Sequence, residues 1–472
     1  MQSSLFNLRV PIETRDEVFL MNTLTDAQLV VSPDVAALLD RAEASGAFDE
    51  EEREAAGVLV DHGFLVSDRQ AERHALDRFF AGIKSDTAEL HITLLTTLQC
   101  NFACDYCFQG DHGDYNKFAE KMTLETAVRV GDWIEREMDR VGPERFVLLF
   151  FGGEPLLNLP VMYYLAERLW TAALARDIPM SCNIITNGLL LTPDIVDRLL
   201  PFGLSGVKIT LDGDREAHNR MRPLRGGQGT FDRIVANVAR VADRVRVAIG
   251  GNFDESSVGS YPALLDFLKA QDFADKLVKV GFKPVIRHGP IASPAAPAGA
   301  PKGVLPLIPV TADGRPLGGT CMTSLGSGGG SACDSCGFAD EQMAFLREET
   351  KRHGFPTPDG VHNGPCHVHH DHAHTIGPDG SLYACPGFTG ELALSTGHID
   401  GRRDPRRDRA RRQFDDLSPW TACGDCAFIP VCAGGCITAS HTQLGDMNLP
   451  TCHKPAFESA LISLAHDVAS AA

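Results

Sequence analysis

Three cysteines, Cys100, Cys104 and Cys107, crowd into the stretch "LQCNFACDYCFQG". Thiolates are soft ligands for zinc, copper(I) or iron–sulfur clusters, and three at C-x3-C-x2-C spacing can grip one centre from a single loop. A structural zinc site wants four protein ligands in a tetrahedron. No fourth Cys or His stands at ordinary finger spacing, and His112, five residues on, would close an unusual loop. Three thiolates suit a cubane iron–sulfur cluster instead, with its fourth iron left for another ligand. A denser group lies near the end of the chain, where "CGDCAFIPVCAGGC" spells C-x2-C-x5-C-x3-C through Cys423, Cys426, Cys432 and Cys436. Cys366 and Cys385 precede it and Cys452 follows. Between the two groups stand Cys321, Cys333 and Cys336, while Cys182 sits in an apolar run and is expected as a core residue. The segment "CHVHHDHAHTIGPDG" adds five histidines beside Cys366. If it opens a hairpin closed by "GPDG", His370, His372 and His374 share one strand face, either solvated and paired or ligating a cluster and moving protons.

These residues need elements to hold them. The first triplet follows the apolar run "ELHITLLTT" (89–97), at the C-terminal end of an expected strand. That strand is expected over 90–97, and further strands at 145–151, 180–186, 206–211, 245–250 and 277–285. A helix over 123–140 places Leu124, Ala127, Val128, Gly131, Ile134 and Met138 on one face behind Thr123 as N-cap. Another opens in "LTPDIVDRLL", with Thr192 as cap and Pro193 at its first position. Six strands separated by helices imply an α/β fold of parallel βα units around one core from about 90 to 290. In such folds the chemistry gathers at the C-terminal strand ends, where the triplet lies. Residues 1–88 read as a small α+β, winged-helix-like module, and 89–287 as the main domain. Residues 288–365, with "SPAAPAGAP" and "GSGGGSAC", read as a Pro/Gly-rich connector. Residues 366–472 form a cysteine-rich domain ending in a helix.

Fourteen cysteines in a chain whose start, "MQSSLFNLRVPIETRDE", is too polar for a signal peptide point to reduced thiols rather than a disulfide framework. No run of about 18 apolar residues occurs, so a soluble cytoplasmic protein without a membrane partner is expected. The net charge of -18 argues against nucleic acid as a partner. The basic run 402–412 is interleaved with Asp404 and Asp408, as on a solvated helix face or loop.

With Tyr106 as the aromatic of C-x3-C-x-aromatic-C, the first triplet resembles the signature of the radical SAM superfamily. The resemblance implies a partial (β/α)6 barrel and a [4Fe–4S] cluster on Cys100, Cys104 and Cys107. It implies S-adenosylmethionine (SAM) chelated at the open iron and reductively cleaved to a 5'-deoxyadenosyl radical that abstracts a substrate hydrogen. "FGGEP" (151–155) matches the family's glycine-rich segment, implying that backbone groups of Gly152, Gly153 and Glu154 approach the SAM amino group. "TNG" (186–188) and "ITLDG" (209–213) fall where members place ribose and carboxylate contacts, which nominates Asn187, Thr210 and, after the fifth strand, Asn252. "HNRMRP" makes Arg222 a SAM carboxylate partner. The bland reading of each is a capped turn.

The C-terminal group is similar to the seven-cysteine SPASM extension, which holds two auxiliary [4Fe–4S] clusters. Carried over, Cys423, Cys426, Cys432 and Cys452 bind the outer cluster, and Cys366, Cys385 and Cys436 the inner one. Cys321, Cys333 and Cys336 are outside that pattern; one completes the inner cluster, or the three hold a further metal, or they are thiols in the connector. Residues 1–88 stand where peptide-modifying SPASM enzymes carry a leader-recognition module that adds the peptide as a strand. "FLMNTLTDAQLVVSPDVAALLDRA" resembles the N-terminal regions of such RiPP maturases. The expected function is maturation of a leader-bearing ribosomal precursor peptide to a crosslink, epimer or oxidised residue, with flavodoxin or ferredoxin as electron donor. No side chain is assigned as the group that quenches the substrate radical. The alternatives are a sulfatase-maturase-like or small-molecule radical SAM dehydrogenase and, in a different class, a zinc-stabilised binding protein without enzymatic activity.

Overall fold

Short apolar runs broken by polar turns make residues 1–31 a meander. The computed structural model describes residues 1–12, 15–43, 48–50, 52–107, 119–286, 334–357, 361 and 365–471. After the stub β1 (Gln2–Ser3), strands β2 (Asn7–Ile12), β3 (Glu17–Asn22) and β4 (Ala27–Val31) form a three-stranded antiparallel sheet in that order. Helices α1 (Pro33–Glu43) and α2 (Glu52–Asp61) bury Leu38, Leu39, Ala56 and Leu59 against Leu20 of β3. Then β5 (Leu65–Val66) pairs with β1, and α3 (Arg69–Ser85) starts where Asp68 accepts the Ala71 N–H at 2.7 Å.

From residue 89 strand and helix alternate: β6 (Glu89–Leu95), α4 (Leu124–Val141), β7 (Arg145–Phe151), α5 (Leu159–Leu174), β8 (Met180–Thr186), α6 (Pro193–Leu199), β9 (Leu204–Thr210), α7 (Arg215–Met221), α8 (Phe231–Val241), β10 (Arg246–Phe253), α9 (Tyr261–Lys269) and β11 (Leu277–Pro284). Strands β6 to β11 are parallel neighbours in sequence order, the sheet of a partial (β/α)6 barrel. Period-two burial builds its outer core, with Phe146, Leu148 and Phe150 of β7 packed with Ile134 of α4 and Leu165 of α5. Cys182 is fully buried in this core, as expected.

Three expectations need correction. In α4, capped by Thr123 as expected, Leu124 and Val128 are exposed, and the buried face runs through Thr126, Ala127, Val130, Gly131, Ile134 and Met138. The partner helix sets this rotation: Arg168 of α5 lies where a Cβ on Gly131 would go, and it pairs with Asp132 and Glu135. The expected connector ends in a regular helix, α10 (Asp334–Arg352), which buries Leu346 and Thr350. The histidine-rich segment is not one strand. His367–His369 make a 3-10 turn, and only Ala373–Ile376 are extended (β12), so His370 and His372 do not share a strand face with His374.

Strand β12 adds in parallel to β6, from Ala373 opposite His91 to Ile376 opposite Leu94. The hairpin to β13 (Ser381–Tyr383) and then β14 (Gly397–His398) extend that same sheet, which reaches nine strands. Beyond them, α11 (Pro405–Asp415) carries the basic run as a surface helix capped by Asp404. Finally α12 (Lys454–Ala471) returns to the N-terminal sheet, Ala460, Leu461 and Ala465 packing on Val10, Ile12 and Phe19. Among the described residues no helix is long and apolar enough to cross a membrane.

Replacing fully buried Phe146 by Ala in the middle of this sheet is expected to cost about 3–5 kcal/mol. A lowered urea midpoint of barrel unfolding measures it.

Candidate functional site

The loop carrying the first cysteine triplet leaves β6 and is welded to the turn after β7. Gly153 N–H donates to the Thr97 carbonyl at 3.0 Å and Glu154 N–H to the Gln99 carbonyl at 2.8 Å. The approach is so close that a Cβ on Gly153 would lie 2.2 Å from the Gln99 oxygen, and one on Gly152, at φ +132°, 2.3 Å from the Thr97 oxygen. Only glycine fits at either position. On the other side Ala103 N–H donates to the Pro223 carbonyl, and Asn187 Nδ2 donates to Asn101 Oδ1 at 2.8 Å and lies 3.9 Å from Cys100 Sγ. Asn187, nominated as a SAM contact, therefore stands at the cysteine loop.

The three thiols are close enough to feel one another. Burial, then the Glu154 carboxylate and the other two thiols, push Cys100 up to about 12. Burial pushes Cys104 up to about 11, against the pull of Arg222. Without a cation these are neutral thiols, and metal coordination deprotonates them outright. Phe102 N–H already points at Cys100 Sγ, 3.4 Å away, the kind of backbone donor that stabilises a thiolate or cluster sulfur. The donor set therefore fits an iron–sulfur cluster.

Glu154 contributes more than backbone. Its fully buried carboxylate accepts from Thr186 Oγ1 (2.7 Å), Asn187 N–H (2.8 Å) and Leu156 N–H (3.0 Å), tying the ends of β7 and β8 together. Burial nevertheless raises its pKa.

Arg222 and Asn252, two of the nominated residues, meet in a polar network at the ends of β9 and β10. Its centre is Asp212, fully buried and one of the residues that sequence reasoning passed over. Asp212 Oδ1 accepts from Asn252 N–H at 2.6 Å, and Oδ2 accepts from the Tyr106 hydroxyl and lies 3.5 Å from Arg222 Nη1. Arg222 Nη1 donates to Tyr106 Oη at 2.5 Å, and its guanidinium carbon lies 5.5 Å from the centre of the Phe102 ring. Burial opposes the charge on Arg222, but Tyr106, Cys104 and Asp212 hold it protonated well above the ordinary range. Its Nε is buried and, among the described residues, has no hydrogen-bond acceptor. A donor in that state suits an incoming carboxylate. Thr210, by contrast, ends β9 opposite Gly250 and sits at the wall rather than in the network.

His218 is the second residue missed. The Asp212 N–H donates to its Nδ1 at 3.1 Å, so the proton sits on Nε2, facing Thr230 Oγ1 at 3.0 Å. Burial, with Arg222 adding, depresses its pKa well below 6.5. The signal for Asp212 was present in "ITLDG", an acid two residues past the strand end and just before a glycine that adopts φ +90°.

The barrel lumen holds a third unforeseen feature. Lys208 of β9 and Lys279 of β11 both stand opposite Ala248, and Lys283 stands opposite Asn252. The Lys208 chain crosses the hollow above Gly250, where a Cβ would lie 2.6 Å from its Cε. The lumen walls, then Lys283 and Lys279, depress Lys208 to about 8. Among the described residues none of the three is in a salt bridge. Lysines at inward strand positions were the available clue.

In the C-terminal domain the thiols gather in two neighbourhoods. Cys385 feels the charges of Cys366 and Cys436 and accepts from Gly387 N–H at 3.4 Å. Cys432 feels Cys423, Cys426 and Cys452. These are the two sets expected for the inner and outer clusters. The turn between them needs Gly434 and Gly435 at positive φ, and a Cβ on Gly435 would lie 2.2 Å from the Thr451 oxygen. Cys321 and Cys333 lie outside the described residues, as does the side chain of Cys336.

Residues 94–254 match the radical SAM superfamily, so this segment is a radical SAM domain. Fe-coproporphyrin III synthase from Methanosarcina barkeri is 28% identical over 178 residues, which span 37% of this chain but only 40% of that relative. AdoMet-dependent heme synthase from Nitratidesulfovibrio vulgaris is 22% identical over 372 residues, 74% of this chain and 88% of its own length. Among solved structures, native anSMEcpe with bound AdoMet and Cp18Cys peptide shares the fold, with a TM-score of 0.55 at 18% identity over 81% of this chain and 100% of that one.

Two outcomes follow from the geometry. Gly153→Ala forces the Gln99 carbonyl away and should lower iron bound after anaerobic reconstitution by about four per chain, read by iron and sulfide analysis. His218 has a folded pKa below its unfolded value, so its contribution to stability is complete above about pH 6.5 and is lost as pH falls toward the folded value. Between pH 7 and 5 the urea stability of the barrel should fall, and in His218→Gln the slope should be shallower by up to ~1.4 kcal/mol per pH unit.

Proposed function

We propose that this chain is a radical SAM enzyme that modifies a residue of a leader-bearing ribosomal precursor peptide, leaving a crosslink, an epimer or an oxidised side chain. The observation that carries the enzymatic reading is the meeting of Cys100, Cys104 and Cys107 with a buried Arg222 whose Nε has no acceptor among the described residues, at one mouth of strand ends. Those three thiolates would hold a [4Fe–4S] cluster, which, with an electron from a flavodoxin or ferredoxin, would supply reductive cleavage of SAM to methionine and a hydrogen-abstracting 5'-deoxyadenosyl radical. The chain's own residues do the positioning. Arg222 offers its guanidinium to the methionyl carboxylate, and Asp212, by gripping Tyr106 and the Asn252 backbone, keeps that guanidinium in place. Backbone groups of Gly152, Gly153 and Glu154 line the amino end, and Asn187 and Thr210 stand toward the ribose. Cys423, Cys426, Cys432 and Cys452 hold an outer cluster and Cys366, Cys385 and Cys436 an inner one, for about twelve iron atoms per chain.

The peptide reading is supported by the N-terminal sheet. Helix α12 covers one face of this sheet, while β4 ends it as an edge strand to which an extended leader can add. The fold is shared with anSMEcpe, a structure of which contains a peptide. A second reading, a small polycarboxylate substrate, is favoured by Lys208, Lys279 and Lys283, and by relatives named as synthases of Fe-coproporphyrin III and of heme.

The deciding assay measures 5'-deoxyadenosine formed by the anaerobically reconstituted enzyme with dithionite and SAM. A leader-bearing precursor peptide should stimulate it, roughly tenfold more with its leader than without. Stimulation by coproporphyrin and by no peptide would replace the peptide reading with the small-molecule one. Colourless, sulfide-free protein that leaves SAM intact would establish the zinc-stabilised binding protein instead.

A further inference from the structure

At the opposite end of β6 from the cysteine loop, three potential metal ligands converge that neither the SAM site nor the auxiliary thiols use. Glu89 and His91 are alternate residues of β6 and so project from the same face of the sheet. His367 arrives from the 3-10 turn that follows Cys366. Glu89 Oε1 lies 3.2 Å from His91 Nδ1 and 3.8 Å from His367 Nε2, and all three ligand atoms fall within 4.8 Å of one another. Among the described residues this is the one group of three or more His, Cys, Asp or Glu side chains so arranged.

The geometry points to a divalent transition-metal site of the zinc class, with two imidazoles and one carboxylate as ligands and water at the outward position. At ordinary zinc–nitrogen and zinc–oxygen lengths of about 2.0–2.2 Å, the edges of a tetrahedron are roughly 3.3–3.6 Å. The two edges at Glu89 straddle that range and the third lies within 4.8 Å, so a cation can enter as the exposed His367 side chain closes on the other two. The support a metal ligand needs is already built. Arg145 Nε holds the other carboxylate oxygen, Glu89 Oε2, at 2.6 Å, leaving Oε1 turned toward the two rings. His91 is fixed through its backbone, whose N–H donates to the His372 carbonyl at 2.9 Å, and His367 through its carbonyl, which accepts from His370 N–H at 3.0 Å. The two rings lie with centroids 4.1 Å apart, tilted by 41°. The His367 side chain is 53% exposed, which gives an ion entry and leaves room for a water ligand.

Such an ion clamps the turn beginning at Cys366 to the base of the first barrel strand. Its loss would leave the SAM mouth intact and loosen the segment that leads into the C-terminal domain.

The test uses the full chain carrying its clusters, freed of adventitious metal on chelating resin and equilibrated anaerobically with radioactive Zn²⁺ alone. Wild-type protein should bind one zinc more than His91→Ala, His367→Ala or Glu89→Gln, each variant losing roughly tenfold or more in affinity at that site. His62→Ala and His466→Ala, at remote histidines, should match wild type. Iron and sulfide content equal to wild type shows that the variants have folded, and if His91→Ala has not, His367→Ala at the exposed side carries the comparison. Zinc uptake that is unchanged in His367→Ala and Glu89→Gln, or absent from wild type, overturns the site and leaves Glu89 and His91 as a hydrogen-bonded pair.

Discussion

The working end of the barrel depends on one contact of backbone against backbone. Where the turn after β7 meets the loop after β6, two N–H groups of Gly153 and Glu154 reach carbonyls of Thr97 and Gln99 with no room for a side chain between them. Every other feature of the mouth is referred to that seam. The Glu154 side chain, placed by the same turn, carries the constraint to β8 through Thr186 and Asn187. Asn187 returns it to the cysteine loop through Asn101. The circuit uses hydrogen bonds alone, buried at Glu154 and part-buried at Asn101, so three strand ends and the loop are held in register before any cofactor is considered.

The second half of the mouth is held by charge. A buried guanidinium is tolerable only when it is paired and hydrogen-bonded. Arg222 has Asp212 and Tyr106 on one side and the Phe102 ring beneath, yet its Nε is left over. Asp212 is likewise kept in place by the Asn252 backbone and by Tyr106, a residue of the cysteine motif itself. The motif's aromatic position therefore couples the cluster loop to the far side of the mouth. His218 closes the arrangement from behind, neutral, bridging the Asp212 backbone to Thr230.

Much of this was legible from residue pattern. The strands at 145–151 and 180–186 coincide with β7 and β8, because period-two alternation of large apolar residues is a local property. The grouping of the C-terminal cysteines into two neighbourhoods was implied by the resemblance to the SPASM pattern, not by spacing alone. What was not legible depends on partners distant in sequence. Leu124 and Val128 look like core on a helical wheel, but Arg168 lying over Gly131 turns α4 away from them. Asp212 looks like a turn residue until Tyr106, more than a hundred positions earlier, is brought to its side chain. The histidine segment fails as a strand until residue 373, because its first half is bent into a turn against β6 and α3, where Asp371 N–H donates to the Lys84 carbonyl.

The parallel pairing of β12 with β6 has a consequence for how the molecule is made. Strand β6, from which the first cysteine loop leaves, has β7 on one side, available soon after synthesis, and on the other a strand from roughly 280 residues later. At ordinary elongation rates that partner leaves the ribosome roughly tens of seconds after β6 does. Through that interval one edge of β6 is unpaired, a template for the wrong strand. The nascent barrel thus passes through a stage in which a chaperone, or slow translation, has something definite to protect.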